Sequence, residues 1–402
     1  MIFYPLLLSF VLSGLSLALA APLDGRASGS QPHPEQVNHA NALTASQSKT
    51  TPKHAPAAPN CFPALGFTKP QTLPADNTNW WCDPATEYAF VGFSYEVTAC
   101  QSREQLIQEF SDIRNHFNSR YVRLYGFCDR EGFYDDIVEA AWENTLGVHA
   151  LIWFGFDGSD IWISRRDTLL AALHANPKAK YVTRVLQFGS EPLFDNVLPH
   201  ATLAAQVLAA KQNLSSLHIP VTVSELAYGY QERGGAQDVL DAIDSINIHM
   251  LPFFSQQAST SDQAWPLVEN DLNWFIAHGN GKKMYFDEVS VPLAEGLRRR
   301  HSPELAERLA ICDFSQRAAQ QPTRRRRHSQ RTVLAANANR FRELLAQGYY
   351  TLLDEHCEDL KAVVGGGIGW FAHIYSDNQE PGYGIYNSAM QLKFPFAPRT
   401  EC

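Results

Sequence analysis

Short apolar runs alternate with longer stretches of mixed polarity from residue 88 to the carboxyl end. The apolar runs are 88–95, 121–125, 147–154, 184–188, 220–224, 245–250, 283–287 and 367–375, and each predicts a strand. The stretches between them, 102–117, 134–144, 165–174, 200–217, 235–243, 264–278 and 335–357, predict helices. In the first of these, Leu106, Ile107, Phe110, Ile113 and Phe117 fall on one helical face. Strand and helix in steady alternation predict the α/β class and a single (β/α)8 TIM barrel with a parallel sheet. The strand runs are nearly continuous in apolar residues, as expected when both faces of a parallel strand are covered. No solenoid-type repeat is visible.

The amino-terminal part departs from this pattern. Residues 1–20 are apolar and end in Ala18-Leu19-Ala20, a small-x-small cleavage site, so they read as a secretory signal peptide. The n-region has no Lys or Arg, only the amino terminus. The run is short for a membrane span, and no other segment is apolar enough for one, so no membrane insertion is expected. Residues 21–59 are rich in Ser, Gln, Pro, His, Asn and Ala and too poor in large apolar residues to order themselves. They are expected to be a disordered low-complexity segment, followed by one folded domain over 60–402. The carboxyl end Thr400-Glu401-Cys402 has no apolar tail, which argues against a GPI-type anchor.

Composition narrows the partners. The net charge of −9 argues against nucleic acid, because phosphate binding needs a basic face. A neutral sugar polymer makes no such demand. The cysteines Cys61, Cys82, Cys100, Cys128, Cys312, Cys357 and Cys402 are scattered, without a C-x-x-C pair. That spacing favours disulfides in an oxidising compartment over a zinc site. Six can pair, in a connectivity left open, and Cys312 is the simplest one to leave over. Asn213-Leu214-Ser215 is a glycosylation sequon, meaningful on an exported chain.

Two strand runs end in a carboxylate: 185–190 leads to Glu191, and 283–287 leads to Glu288. In a barrel the carboxyl ends of the strands meet at one mouth, where reacting groups sit. Two carboxyl groups facing each other there are the minimum equipment for cleaving a glycosidic bond. The other strand ends bring Tyr95 and Glu96, Arg123 and Tyr125, Trp153 and Phe154, Glu225, His249, and Trp370 with Tyr375 to the same mouth. Aromatic rings stack on sugar faces, and carboxylates accept from hydroxyls. The opposing readings are that either Glu caps a helix or a loop, and that any of the rings belongs to the barrel core. Arg123 or His249 would hold a nucleophilic carboxylate ionised. No H-x-x-H or H-E-x-x-H motif, P-loop or dinucleotide glycine fingerprint is present, so no metal and no cofactor is expected.

Taken together, Arg123-Leu124-Tyr125-Gly126 with Cys128-Asp129, Phe188-Gly189-Ser190-Glu191, His249 to Phe254, Tyr285-Phe286-Asp287-Glu288, Trp370 to His373 and Phe394 to Cys402 resemble fungal glycoside hydrolase family 17. The resemblance runs from Cys61 to Cys402 with one gap. It implies a β-1,3-glucan hydrolase or glucanosyltransferase of the cell wall, a β/α barrel, a retaining mechanism and no cofactor. It also implies Glu191 as acid/base and Glu288 as nucleophile. Tyr95, Arg123, Tyr125, Trp153, Ser190, Glu225, His249 and Trp370 are then the candidate substrate-binding residues of a secreted, extracellular or cell-wall protein, expected to be a monomer.

Two departures stand out. The family commonly has Asn where this chain has Ser190, and a small residue, Gly, Trp and Pro where it has Val289-Ser290-Val291-Pro292. From there, 289–332 is an atypical Arg-rich insert with Arg298-Arg299-Arg300 and Arg324-Arg325-Arg326-Arg327. It reads either as a solvated surface loop or, the reading we favour, as translated intron. A transcript encoding the stretch continuously would exclude the intron. The lost Trp and Ser190 also keep open a non-catalytic glucan-binding wall protein.

Overall fold

The structure, a computed structural model, describes residues 60–155, 158–254, 257–291, 340 and 343–402. The signal peptide, the whole of the 21–59 segment, the insert from 292 onward and Cys312 lie outside the described residues.

Eight parallel strands close into a barrel in sequence order. They are β1 (Ala89–Glu96), β2 (Tyr121–Tyr125), β3 (Gly147–Ile152), β4 (Thr183–Ser190), β5 (Val221–Glu225), β6 (Ile246–Met250), β7 (Met284–Val289) and β8 (Ile368–Ala372). The helices between them are α1 (Arg103–Phe117), α2 (Phe133–Asn144), α3 (Ile161–Ala175), α4 (Ala179–Val182), α5 (His200–Leu214), α6 (Ala227–Gln231), α7 (Gln237–Ala242) and α8 (Trp265–His278). Residues 343–355 are helical, and Cys357–Lys361 forms a short helix before β8. The (β/α)8 expectation is met. The last strand ends at Ala372 rather than at residue 375, and α4 and α6 are one-turn additions that the pattern did not reveal.

Local chemistry accounts for the element ends. Ser102 caps α1 by accepting from the Gln105 N–H, and Asn118 closes it in the left-handed region at φ 53°. Leu106, Phe110, Ile113 and Phe117 are buried against the sheet, each contributing roughly 1.5–3 kcal/mol. Three disulfides pin the periphery: Cys61–Cys82, Cys100–Cys128 and Cys357–Cys402. Among the described residues no helix is long and apolar enough to cross a membrane.

The barrel interior is more polar than its strand runs suggest. Arg123, His149, Gln187, Thr222, Ser224, Asn247, His249 and Asp287 are all buried. At the amino-terminal end of the strands, Glu87 is fully buried. It accepts from Tyr121 Oη at 2.5 Å and from the Tyr285 hydroxyl, and it pairs with Arg184 Nη2 at 3.1 Å. Lys283 Nζ donates to the carbonyls of Glu87, Gly366 and Gly367 at 2.6, 2.9 and 2.8 Å. Above this layer, His149 packs its ring on Tyr121, Tyr285 and Phe371. The lower end is thus a closed plug, and only the carboxyl-end mouth is left for chemistry.

Candidate active site

Strands alternate their side chains between two faces, so parity decides which residues enter the barrel. In β2 the inward set is Tyr121, Arg123 and Tyr125. Arg123 is fully buried beneath the mouth. Its Nη1 donates to Glu288 Oε2 at 3.2 Å, and its Nη2 donates to Ser190 Oγ and Ser224 Oγ, both at 3.0 Å. Its Nε lies 3.6 Å from Asp287 Oδ2.

Asp287 anchors that layer. Its Oδ2 accepts from Ser224 Oγ at 2.5 Å, from Asn247 Nδ2 at 3.3 Å and from the Gln187 amide. Glu288, the next residue, also reaches the network because the β6–β7 register shifts at Ile248/His249, which sets His249 opposite Glu288. Such a bulge re-aims a side chain.

Glu191 sits one residue beyond β4, in the left-handed region at φ 55°. Its backbone N–H donates to Ser224 O at 2.8 Å. The turn that delivers it needs Gly189, at φ 98°, where a Cβ would lie 2.7 Å from the Phe154 ring. Gly189→Ala is therefore expected to destabilise the fold by about 1–3 kcal/mol and to displace Glu191. A thermal melt alongside a turnover assay checks this; an unchanged melting temperature contradicts it.

His249 joins the two carboxylates. Its Nδ1 lies 2.9 Å from Glu191 Oε1, and its Nε2 lies 3.5 Å from Glu288 Oε2 and 2.7 Å from Ser224 Oγ. Ser224 has one proton, and Asp287 at 2.5 Å takes it, so Oγ accepts and Nε2 must carry a proton. The 3.0 Å approach of Arg123 Nη2 to Nε2 is then a contact between two donors rather than a hydrogen bond. Burial disfavours the charged ring, but Glu288, the bond to Glu191 and Asp287 outweigh it and push its pKa up to about 9. For Glu288, burial raises the pKa, while His249, His373 and Arg123 outweigh burial and hold the carboxyl well below the usual range. Glu288 is thus an ionised carboxylate inside a cationic cage.

Around this centre, Tyr125 meets Trp153 edge to face at 5.0 Å and His373 at 5.4 Å. Of the residues expected at the mouth, the structure gathers Glu191, Glu288, Arg123, His249, Ser190, Tyr125 and Trp153, with Glu96 nearly buried beside Thr98. Three of the candidate substrate-binding residues are corrected, and Phe154, packed on Trp162 of α3, and Tyr375, whose hydroxyl donates to Asp112 of α1, also leave the mouth. Tyr95 is fully buried on the outer face of β1, packed on Phe110 with its hydroxyl on Glu109 of α1. Trp370 is fully buried on the outer face of β8, stacked on Tyr350 at 5.7 Å. Glu225 is fully buried with the outward residues Val221 and Val223. Its carboxylate accepts from the backbone N–H of Leu193, Phe194 and Leu226 at 2.6, 3.1 and 2.9 Å. Burial pushes its pKa up to about 8, with the Leu226 and Phe194 hydrogen bonds pulling against it. Glu225 braces the loop after Glu191 and does not face the cleft. Strand parity would have found all three. It would also have found Ser224, an inward position the sequence reading passed over. Among the described residues no group of three or more His, Cys, Asp or Glu side chains is arranged to hold a metal.

Comparison with known proteins fits this geometry. The family model described as the BtgE/BtgC glycoside hydrolase domain matches residues 89–323, more than half of the chain, and its end falls inside the Arg-rich stretch. No curated protein sequence matches. The structure of a glycoside hydrolase family 17 β-1,3-glucanosyltransferase from Rhizomucor miehei superposes with a TM-score of 0.54 at 14% identity, covering 78% of this chain and 97% of that one. An active-site mutant of the Rhizomucor miehei β-1,3-glucanosyltransferase with laminaritriose gives a TM-score of 0.53 at 13% identity, covering 76% and 95%. At such identities the likeness speaks for the barrel fold alone. The family match rests on the sequence itself, and it covers β1 to β7 with both mouth carboxylates: the chain belongs to the BtgE/BtgC glycoside hydrolase family.

Proposed function

We propose that this chain is an exported retaining glycosidase acting on cell-wall β-1,3-glucan, with Glu288 as nucleophile and Glu191 as acid/base. The observation that carries the reading is the bridge of His249 between the two carboxylates, with Arg123 on Glu288 alone. The retaining mechanism, with its nucleophilic carboxylate and its acid/base, follows the family 17 resemblance. The cationic cage suits a nucleophile, which must be ionised, and Glu191, which touches His249 but not Arg123 and is about one quarter exposed, suits the group that meets the leaving oxygen.

In the first step Glu288 attacks the anomeric carbon, and Glu191 gives its proton to the departing glycosidic oxygen. In the second, Glu191 takes a proton from the acceptor hydroxyl, which attacks the same carbon and frees Glu288. Water as acceptor gives hydrolysis, and a sugar hydroxyl gives glucan transfer. Tyr125 and Trp153 offer ring faces and edges for the pyranose beside Glu288. Three disulfides fit an oxidising, extracellular destination. The glucan linkage follows the sequence resemblance to family 17, and the enzymes of that type named above are transferases.

The test is product analysis with a linear β-1,3-gluco-oligosaccharide. Shorter products indicate hydrolysis, and longer ones indicate transfer. Glu191→Ala is expected to lower turnover by about 10²–10⁴ and to spare substrates whose leaving group needs no proton. Unchanged oligosaccharide with folded protein would overturn the reading in favour of a glucan-binding wall protein.

A further inference from the structure

His373 stands one residue past β8, on the inward parity that Trp370 lacks, and it is only 3% exposed. Its backbone N–H donates to Val289 O at 3.0 Å, which ties it to the residue after Glu288. The ring is fixed on three sides. Nε2 lies 2.9 Å from Glu380 Oε2, Tyr125 packs edge-on at 5.4 Å, and Tyr383 packs at 5.7 Å. The remaining nitrogen, Nδ1, is buried without a hydrogen-bond partner among the described residues. A buried polar atom in a fixed ring beside a reacting carboxylate calls for a ligand, since leaving it unmade costs free energy.

We propose that His373 Nδ1, with Glu380 orienting the ring through Nε2, is a binding site for one hydroxyl of the sugar unit whose anomeric carbon Glu288 attacks. The inference rests on the glycosidase reading above. A neutral hydroxyl is the fitting ligand, because it can donate to or accept from Nδ1 in the ring plane, and the nearby Glu288 and Glu380 exclude an anion. Burial opposes protonation of His373, while Glu288 and the bond to Glu380 outweigh it and raise its pKa. His373 in turn contributes to keeping Glu288 ionised.

The test pairs His373→Ala with a set of linear β-1,3-gluco-oligosaccharides, each lacking one hydroxyl on the sugar at the cleaved bond. Leaving the sugar hydroxyl unpaired in a buried site predicts a fall of about 10- to 100-fold in kcat/KM for His373→Ala on the parent substrate. One deoxy position should cost the wild-type protein a similar factor and cost His373→Ala nothing further. Glu380→Gln, which keeps the ring but loosens it, should show a smaller loss at the same position. If His373→Ala does not fold, His373→Asn, which retains a donor, takes its place and should show a reduced sensitivity to that same hydroxyl. Equal penalties in wild type and variants at every deoxy position would overturn this assignment while leaving the glycosidase reading intact. Absence of any wild-type turnover on the parent oligosaccharides would overturn both.

Discussion

Glu288→Gln is expected to lower turnover by on the order of 10⁴-fold or more, since removing one member of a group that acts as a unit loses most of its rate advantage. The amide keeps the shape of the carboxyl and can still accept from Arg123 Nη1, now at 3.2 Å from Glu288 Oε2. It cannot form the glycosyl ester. Oligosaccharide binding should therefore change by only a few-fold, which calorimetry can measure beside the kinetics. The charge change has a second consequence. Glu288 is the largest charge favouring the imidazolium of His249, so the histidine pKa should fall from about 9 in the variant, and NMR titration of its ring would register that. Turnover within tenfold of wild type would remove Glu288 from the role of nucleophile.

The largest effect on stability is expected from Glu87→Gln at the closed end of the barrel. Glu87 is the buried anion facing Arg184, Arg120 and Lys283. Burial raises its pKa, but these cations and the Tyr121 hydrogen bond outweigh burial and lower it from 4.5 to about 2. Because the folded value lies below the unfolded one, the contribution is fully present above about pH 4.5 and is lost as pH falls toward 2. A shift of this size corresponds to about 3 kcal/mol at neutral pH. Removing one partner of a buried ion pair costs about 3–5 kcal/mol, in agreement with that figure. Glu87→Gln should lower neutral-pH stability by this order and flatten its decline between pH 4.5 and 2. Denaturant unfolding at several pH values checks both. Wild-type slopes retained in the variant would mean that another carboxylate controls the acid limb.

Much of the fold was legible because a parallel barrel writes a simple pattern. Each strand carries outward residues that must be apolar, such as Ile246, Ile248 and Met250 of β6, and the helices carry their own stripe. The inward positions were harder to read. Arg123, Gln187, Ser224, Asn247 and Asp287 interrupt the apolar runs, and they do so because they pair with one another out of water. The two carboxylates were visible as strand-ending glutamates. Their partners His249 and Arg123 were visible as the charged residues on neighbouring inward positions. Tyr95, Trp370 and Glu225 were misassigned because nearness to a strand end was taken without parity, and each falls on the helix-facing side. His373 was hidden for a different reason: its part in the site depends on Glu380, seven residues on in a loop, and nothing in a periodic pattern announces that contact. The register shift that brings Asp287 and Glu288 to the same network is likewise a tertiary feature.

The most direct test of the account is to trap the covalent intermediate. Incubation with an activated 2-deoxy-2-fluoro β-glycoside of a β-1,3-linked glucose disaccharide slows the second step more than the first, and peptide mass spectrometry then locates the sugar. One stoichiometric label is expected on the peptide carrying Glu288, absent from Glu288→Gln and from protein treated after denaturation. A label on another residue, or turnover of natural substrate with inverted anomeric configuration and no label, would contradict it.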